Sequence, residues 1–324
     1  MAASAILTLR ENDGSAHKEP VIGVDYFTSI LPGRWRQNPI SKNPVALGAY
    51  WGKVEPFVMQ SGSQFRVPPP PALTSEQYTA AFNELKLLGG NGTTTPTMRT
   101  PDQTIAGIFW CCDETPHIGT PPKMYNQIVM EIADQMGSDA VELARLLALV
   151  NAAMADGAIA CFESKYYHDF WRPVTAIREA DKGTGPTGLG DGNPQTAGDP
   201  NFTPLGSQAS NTSKPNFTPP FPAYPAGHST FGDACFQILR DFYGTDSVSF
   251  TVISDEFNGV TKDNTGKVRP LIPRDFASFS EAEAENGLSR IYVGVHWAFD
   301  NTEGIAQGRQ IADYIFENSF RPLR

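Results

Sequence analysis

Three short stretches, far apart in the chain, place basic side chains where helices begin or end. The first is KYYHDFWRP, with Lys165 and Arg172; the second is PAGH, ending at His228; the third is SRIYVGVHWAFD, with Arg290, His296 and Asp300. Together they offer two arginines, a lysine, two histidines and a helix N-terminus at Gly227. Such a set suits a tetrahedral or trigonal-bipyramidal oxyanion such as phosphate: arginine supplies forked donors, lysine a point charge, and a helix end free N–H groups. Asp300 follows His296 by four residues, so on one helix their side chains can meet. A carboxylate on one ring nitrogen fixes the tautomer and leaves the other nitrogen free as nucleophile or ligand. His228, from a different helix, is then the acid/base group. On a straight helix Arg290 would stand roughly 120° round from His296, so a break at Gly294 is required for both to face one pocket.

The elements that must hold these groups can be read from apolar spacing. Phe231, Cys235, Ile238, Leu239 and Phe242 recur at helical intervals behind His228, giving a helix whose first turn carries Gly227 and His228. The strongest helical signal runs from Ser138 to Tyr166. Its second half is small, and Gly157 with Ala153 and Ala158 marks a place where another helix approaches closely. Lys165 continues that stripe, where a lysine either meets an anion or snorkels to solvent. A helix opens at Pro173 directly after Arg172. Further helices are expected from Thr74 or Ser75 to Leu88, over 101–112, behind Pro121 and Pro122, over 280–293 and over 296–316. Residues 247–253 suit a short strand, with irregular chain over 254–277. The Gly-, Pro- and Asn-rich stretch 181–225, with NFTP at Asn201 and again at Asn216, is too long for a plain connection and reads as a lid, a wrapping segment or disordered chain.

Residues 1–70 lack helical period and read as an extended wrapping segment ahead of a catalytic helical-bundle domain over 71–324. Trp35, Tyr50, Trp51, Phe57 and Phe65 need a neighbour to cover them. With 324 residues and 40% hydrophobic content the chain can build a sizeable core. A net charge of -10 and a pI near 5.0 argue against nucleic acid or an anionic membrane surface as partner. No run reads as apolar enough to span a bilayer and no signal peptide is visible, so a soluble chain of open localisation is expected. Cys111, Cys112, Cys161 and Cys235 form no metal pattern and read as buried small hydrophobes, the adjacent pair being the oddity. The Asn-x-Ser/Thr sequences at Asn91, Asn201, Asn211 and Asn216 read as incidental, His17 and His117 have no supporting context, and His168, between Lys165 and Arg172, reads as a residue of an exposed turn.

Lys-x6-Arg-Pro, then Pro-x-Gly-His, then Ser-Arg-x5-His-x3-Asp, in this order, resembles the superfamily of type 2 phosphatidic acid phosphatases, bacterial acid phosphatases and vanadium-dependent haloperoxidases. PPFPAYP, FWRPVTAIR and SQFRVPPPPALTSEQY are most similar to the soluble haloperoxidase branch, from about Gly33 onward. The resemblance implies an all-α helical bundle with long irregular loops and a vanadate cofactor. Lys165, Arg172 and Arg290 would bind its equatorial oxygens with the Gly227 amide. His296 would be the axial ligand to vanadium, His228 the acid/base for hydrogen peroxide, and Asp300 the support of His296. Phe221 and Phe162 would line a halide site tilted toward bromide and chloride. The implied activity is oxidation of halide by peroxide to a hypohalous species that halogenates a small organic substrate. Phosphate would be a competing anion. One alternative is a phosphatase acting through a phosphohistidine at His296; another is a catalytically silent interaction subunit. Ala226 stands where the family usually has a serine that donates to a vanadate oxygen, a loss of about 1.5–3 kcal/mol that predicts weaker binding. Larger members carry a further helical half before the catalytic one, so the aromatics of 35–65 are expected to cover another subunit of a homo-oligomer or a separate N-terminal helical half.

Overall fold

The computed structural model describes residues 2–113 and 115–321. Among them the chain forms nine α-helices, with two three-residue strands at the rim, so the expected all-α class holds. A short helix α1 (Ala2–Leu9), not anticipated from the sequence, opens the chain. Capping chemistry sets most of the later boundaries. Ser75 caps α2 (Glu76–Leu88) by accepting from the Tyr78 amide. Thr100 and Gln103 form a capping box at α3 (Pro101–Phe109), and two prolines open α4 (Pro121–Gln135). Asp139 and Glu142 box the start of α5 (Ala140–His168), which stops at Asp169 in the left-handed region, φ 53°. Helix α6 (Pro173–Glu179) follows Arg172, and α7 (Gly227–Tyr243) ends on Gly244 at φ 67°. Strands β1 (Phe250–Val252) and β2 (Arg274–Phe276) pair antiparallel, Phe250 against Phe276; β2 falls in chain read as irregular. Helices α8 (Phe279–Tyr292) and α9 (Ala298–Asn318) complete the bundle.

Helix α7 is the hub, packed against α9, α5, α8 and α4. Small residues permit this. A Cβ on Gly157 of α5 would meet Thr230 and Ala234 of α7 at 3.6 and 4.0 Å, so the approach read from the sequence is present. The tighter seam lies on α9, where a Cβ on Gly308 would come within 2.4 Å of the Thr230 carbonyl oxygen and one on Gly304 within 2.7 Å of that of Ala226. No side chain larger than glycine's fits there without moving α9 off α7.

Two sequence readings need correction. Helix α5, 29 residues long, does have the length and composition to cross a membrane. It is instead the core helix, packed on α7, α9 and α4, and it carries buried Asp156 and Lys165. The segment over 1–70 wraps this chain's own bundle rather than leaving all its aromatics for a partner. Trp35 is buried against Tyr26 and Tyr166, Phe65 packs edge-on to Tyr314, and the Trp51 turn lies on α5. Only Phe57 of the five stays exposed, with Arg10 stacked on its ring. A buried acid fastens the strap: Asp156 accepts from the backbone amides of Phe57, Val58 and Met59 at 2.6, 2.8 and 2.8 Å. The 181–225 stretch is a wrapping segment, ordered by local side-chain-to-backbone bonds and by Asn193, which donates to the Leu73 carbonyl oxygen at 2.8 Å.

Candidate active site

The three basic stretches converge at one end of the bundle. Lys165 leaves the last turn of α5 fully buried and donates to the carbonyl oxygens of Pro222, Ala223 and Pro225 at 3.0, 2.8 and 2.5 Å. Burial pulls its pKa down to about 7. The snorkelling alternative is thereby excluded. Arg172, at the start of α6, donates through Nε to the Phe221 carbonyl oxygen at 2.8 Å and through Nη1 to that of Val295 at 2.8 Å and to His296 Nε2 at 3.0 Å. Its Nη2 is buried without a partner, and burial lowers its pKa to about 9. Arg290 ends α8, with Nη2 at 3.3 Å from Ser207 Oγ and 3.5 Å from Asp113 Oδ2, while its Nε is buried and unpartnered.

The break at Gly294 is present. Gly294 takes φ +76°, and a Cβ there would lie 2.5 Å from the Gly89 carbonyl oxygen, so both the backbone angle and the close approach require glycine. The turn brings His296 beside Arg172, and Asp300 on the first turn of α9 accepts from His296 Nδ1 at 2.8 Å and from the Trp297 amide at 3.1 Å. A guanidinium can only donate, so Nε2 facing Arg172 bears the lone pair and Nδ1 carries the proton. Burial, followed by the charges of Arg172, Lys165, Arg290 and His228, holds His296 well below the ordinary imidazole value, hence neutral. Burial raises Asp300 to about 7 against the pull of Lys165. His228, on the first turn of α7, donates from Nε2 to the Cys111 carbonyl oxygen at 2.9 Å. Burial and then Arg290 push its pKa down to about 4, so it too is neutral, with its lone pair on Nδ1.

Gly227 opens α7 at the same place, and Ala226 before it offers no side-chain cap. The Phe221 ring lies under both cations, 5.0 Å from Lys165 Nζ and 4.7 Å from Arg172 Cζ, with Phe162 edge-on at 5.1 Å. Lys165, Gly227, His228, Arg290, His296, Phe162 and Phe221 line a cavity of about 510 Å³, whose outer wall is apolar (Leu47, Trp51, Pro121, Pro219, Phe231). Of the site residues expected from the sequence, Arg172 and Asp300 lie outside this lining and are joined to it through their hydrogen bonds to His296. His168 takes no part in it and holds the strap through the Val67 carbonyl oxygen at 3.0 Å. His17 and His117 also lie outside the chamber lining. The sequence reading missed Asp113, Ser207 and the Cys111 carbonyl. Only the oddity of adjacent cysteines pointed toward the first and last. The four cysteines are all buried, as expected.

Three buried cations, two guanidinium nitrogens without partners and a histidine lone pair form a donor set that fits an oxyanion with a metal centre. It has too few carboxylates to fit a bare cation. Among the described residues no cluster of histidine, cysteine and acidic side chains could hold a metal ion by itself. A family model described as the VCPO second helical-bundle domain matches residues 145–324, more than half of the chain. The chain belongs to this family. It is 36% identical over 288 residues to the vanadium chloroperoxidase of Curvularia inaequalis, an alignment covering 78% of this chain and 45% of that protein. The chain thus spans about half the length of that curated relative. The bundle superimposes on a bacterial vanadium-dependent iodoperoxidase with a TM-score of 0.73 at 25% identity, covering 98% of this chain and 67% of the other. A holo bacterial vanadium-dependent chloroperoxidase gives 0.66 at 16% identity over 98% of this chain and 70% of the other, which supports the fold.

Proposed function

We propose that the chain is a vanadate-dependent haloperoxidase, converting hydrogen peroxide, halide and a proton to hypohalous acid and water for halogenation of a small organic substrate. The observation carrying this reading is the pair of buried, unpartnered guanidinium nitrogens, Arg172 Nη2 and Arg290 Nε, beside the lone-pair-bearing Nε2 of His296. Lys165, Arg172, Arg290 and the Gly227 amide would hold the oxygens of vanadate, and His296 Nε2 would ligate vanadium. Vanadate, when bound, supplies the Lewis-acidic centre that activates peroxide toward two-electron oxidation of halide. Asp300 keeps the proton on His296 Nδ1 and so keeps Nε2 available. His228, neutral and with a lone pair on Nδ1, would hold and return a proton at that atom as the acid/base group for hydrogen peroxide. Phe162 and Phe221 make the apolar halide pocket, with Lys165 and Arg172 on the Phe221 ring attracting bromide or chloride.

The test is bromination of a dimedone-type acceptor with peroxide and bromide after incubation with orthovanadate, beside hydrolysis of nitrophenyl phosphate without it. Vanadate-dependent bromination that His296→Ala abolishes supports the reading. Phosphate release inhibited by vanadate, with no bromination, would replace it with the phosphatase alternative, in which the same Nε2 attacks phosphorus. Neither activity in the wild type, with no change in His296→Ala, would leave the silent-subunit reading. The unit proposed is a catalytic bundle over 71–324 strapped by 1–70. A homo-oligomer or a separate helical half would dock on the exposed Val24, Phe27, Ile30 and Leu31. A concentration-independent monomer in sedimentation would refute the oligomer.

A further inference from the structure

Ala226 removes a hydroxyl from the start of α7, yet another buried hydroxyl lies against Arg290, which lines the chamber. Ser207 Oγ, fully buried, accepts from Arg290 Nη2 at 3.3 Å. The hydroxyl proton of Ser207 has no acceptor among the described contacts, and neither does Arg290 Nε on the same guanidinium. Two donors with no acceptor thus stand side by side in a buried, cation-rich place, where an oxyanion is the complementary partner.

The hydroxyl is also rigidly placed. Ser207 exchanges both backbone bonds with Phe217, N–H to carbonyl oxygen at 2.8 Å and the reverse at 3.0 Å. Gly206, at φ +77°, donates to the Val293 carbonyl oxygen at 2.8 Å, which ties the segment to the turn between Arg290 and His296. On the other side Gln208 is gripped by Arg269, itself paired with buried Glu256. A side chain preorganised this way donates at little entropic cost.

We propose that Ser207 supplies, from the 181–225 segment, the hydroxyl donor to the bound oxyanion that Ala226 cannot supply from α7. This rests on the oxyanion reading of the chamber, and makes Ser207 a ligand-binding residue alongside Arg290. The alternative assignment, a serine that only props Arg290, makes a different prediction, because a hydroxyl restored at position 226 could not replace a prop.

The experiment measures binding rather than turnover: dissociation constants of orthovanadate and of inorganic phosphate, by equilibrium dialysis, for wild type, Ser207→Ala, Ala226→Ser and the double variant, with thermal melts to check folding. Ser207→Ala is expected to weaken both anions by about 10- to 100-fold, the range for one hydrogen bond to a charged group. Adding Ala226→Ser to it is expected to recover most of that loss. Wild-type binding with Ser207→Ala within twofold of it overturns the inference and leaves the oxyanion reading standing. A loss that Ala226→Ser does not recover in a folded double variant also overturns it, in favour of the prop. A wild type that binds neither anion better than His296→Ala overturns the oxyanion reading, and the inference with it.

Discussion

Raising the pH from 7 to 9 strips the proton from Lys165 in the free protein, because burial has brought its pKa down to about 7. An anion in the chamber restores the protonated form, so its binding takes up a proton and weakens as pH rises. About half of the free protein carries the Lys165 charge at pH 7 and about one part in a hundred at pH 9, so affinity falls roughly 50-fold over that interval. At pH 8 close to one proton enters per anion bound. Asp300, raised to about 7, acts in the same direction, since its growing negative charge also opposes the anion. Sulfate is the appropriate probe, because its own charge does not change across this range. Titration calorimetry in two buffers of different ionisation enthalpy counts the protons. Lys165→Met removes most of the slope and leaves the part due to Asp300. A wild-type affinity flat from pH 7 to 9, or proton uptake near zero at pH 8, would refute the argument that Lys165 meets the anion as the proton-carrying partner.

Two structural perturbations follow from the same reasoning. Asp156→Ala leaves the amides of Phe57, Val58 and Met59 without their acceptor and is expected to cost about 2–4 kcal/mol in denaturant unfolding, with new protease cleavage near the strap. A change below about 1 kcal/mol would show that the strap is held elsewhere. Gly294→Ala forces a side chain into φ +76° and toward the Gly89 carbonyl oxygen, and is expected to cost about 1–3 kcal/mol while abolishing sulfate binding. Full binding in that variant would mean the turn does not set the position of His296.

The site was legible in the sequence wherever it is carried by helices. Lys165, Arg172, His228, Arg290, His296 and Asp300 sit within a turn of a capped or proline-marked boundary, and caps are local chemistry that a sequence displays. Gly294 could be inferred because two residues on a straight helix would have faced apart. Asp113 and Ser207 could not, because they lie in aperiodic chain whose placement depends on distant backbone partners such as Val293 and Phe217. The wrapping segment misled in the same way: its aromatics announced a need for cover, but spacing does not say whose surface provides it. Helix α5 shows the converse limit. Its small second half shows that a helix comes close, and the packing shows that the helix is α7 and that α9 also covers α5.

The strap has a consequence for how such a chamber can diversify. Leu47 and Trp51 form part of the outer chamber wall, yet they come from chain fixed by Asp156 and by the bond from the Leu47 amide to the Pro220 carbonyl oxygen, not by the cations that face the anion. Substitutions at these two positions can reshape the entrance while Lys165, Arg172 and Arg290 keep their partners. Inheritance can thus vary the chamber entrance and the anion-facing donors on separate stretches of sequence.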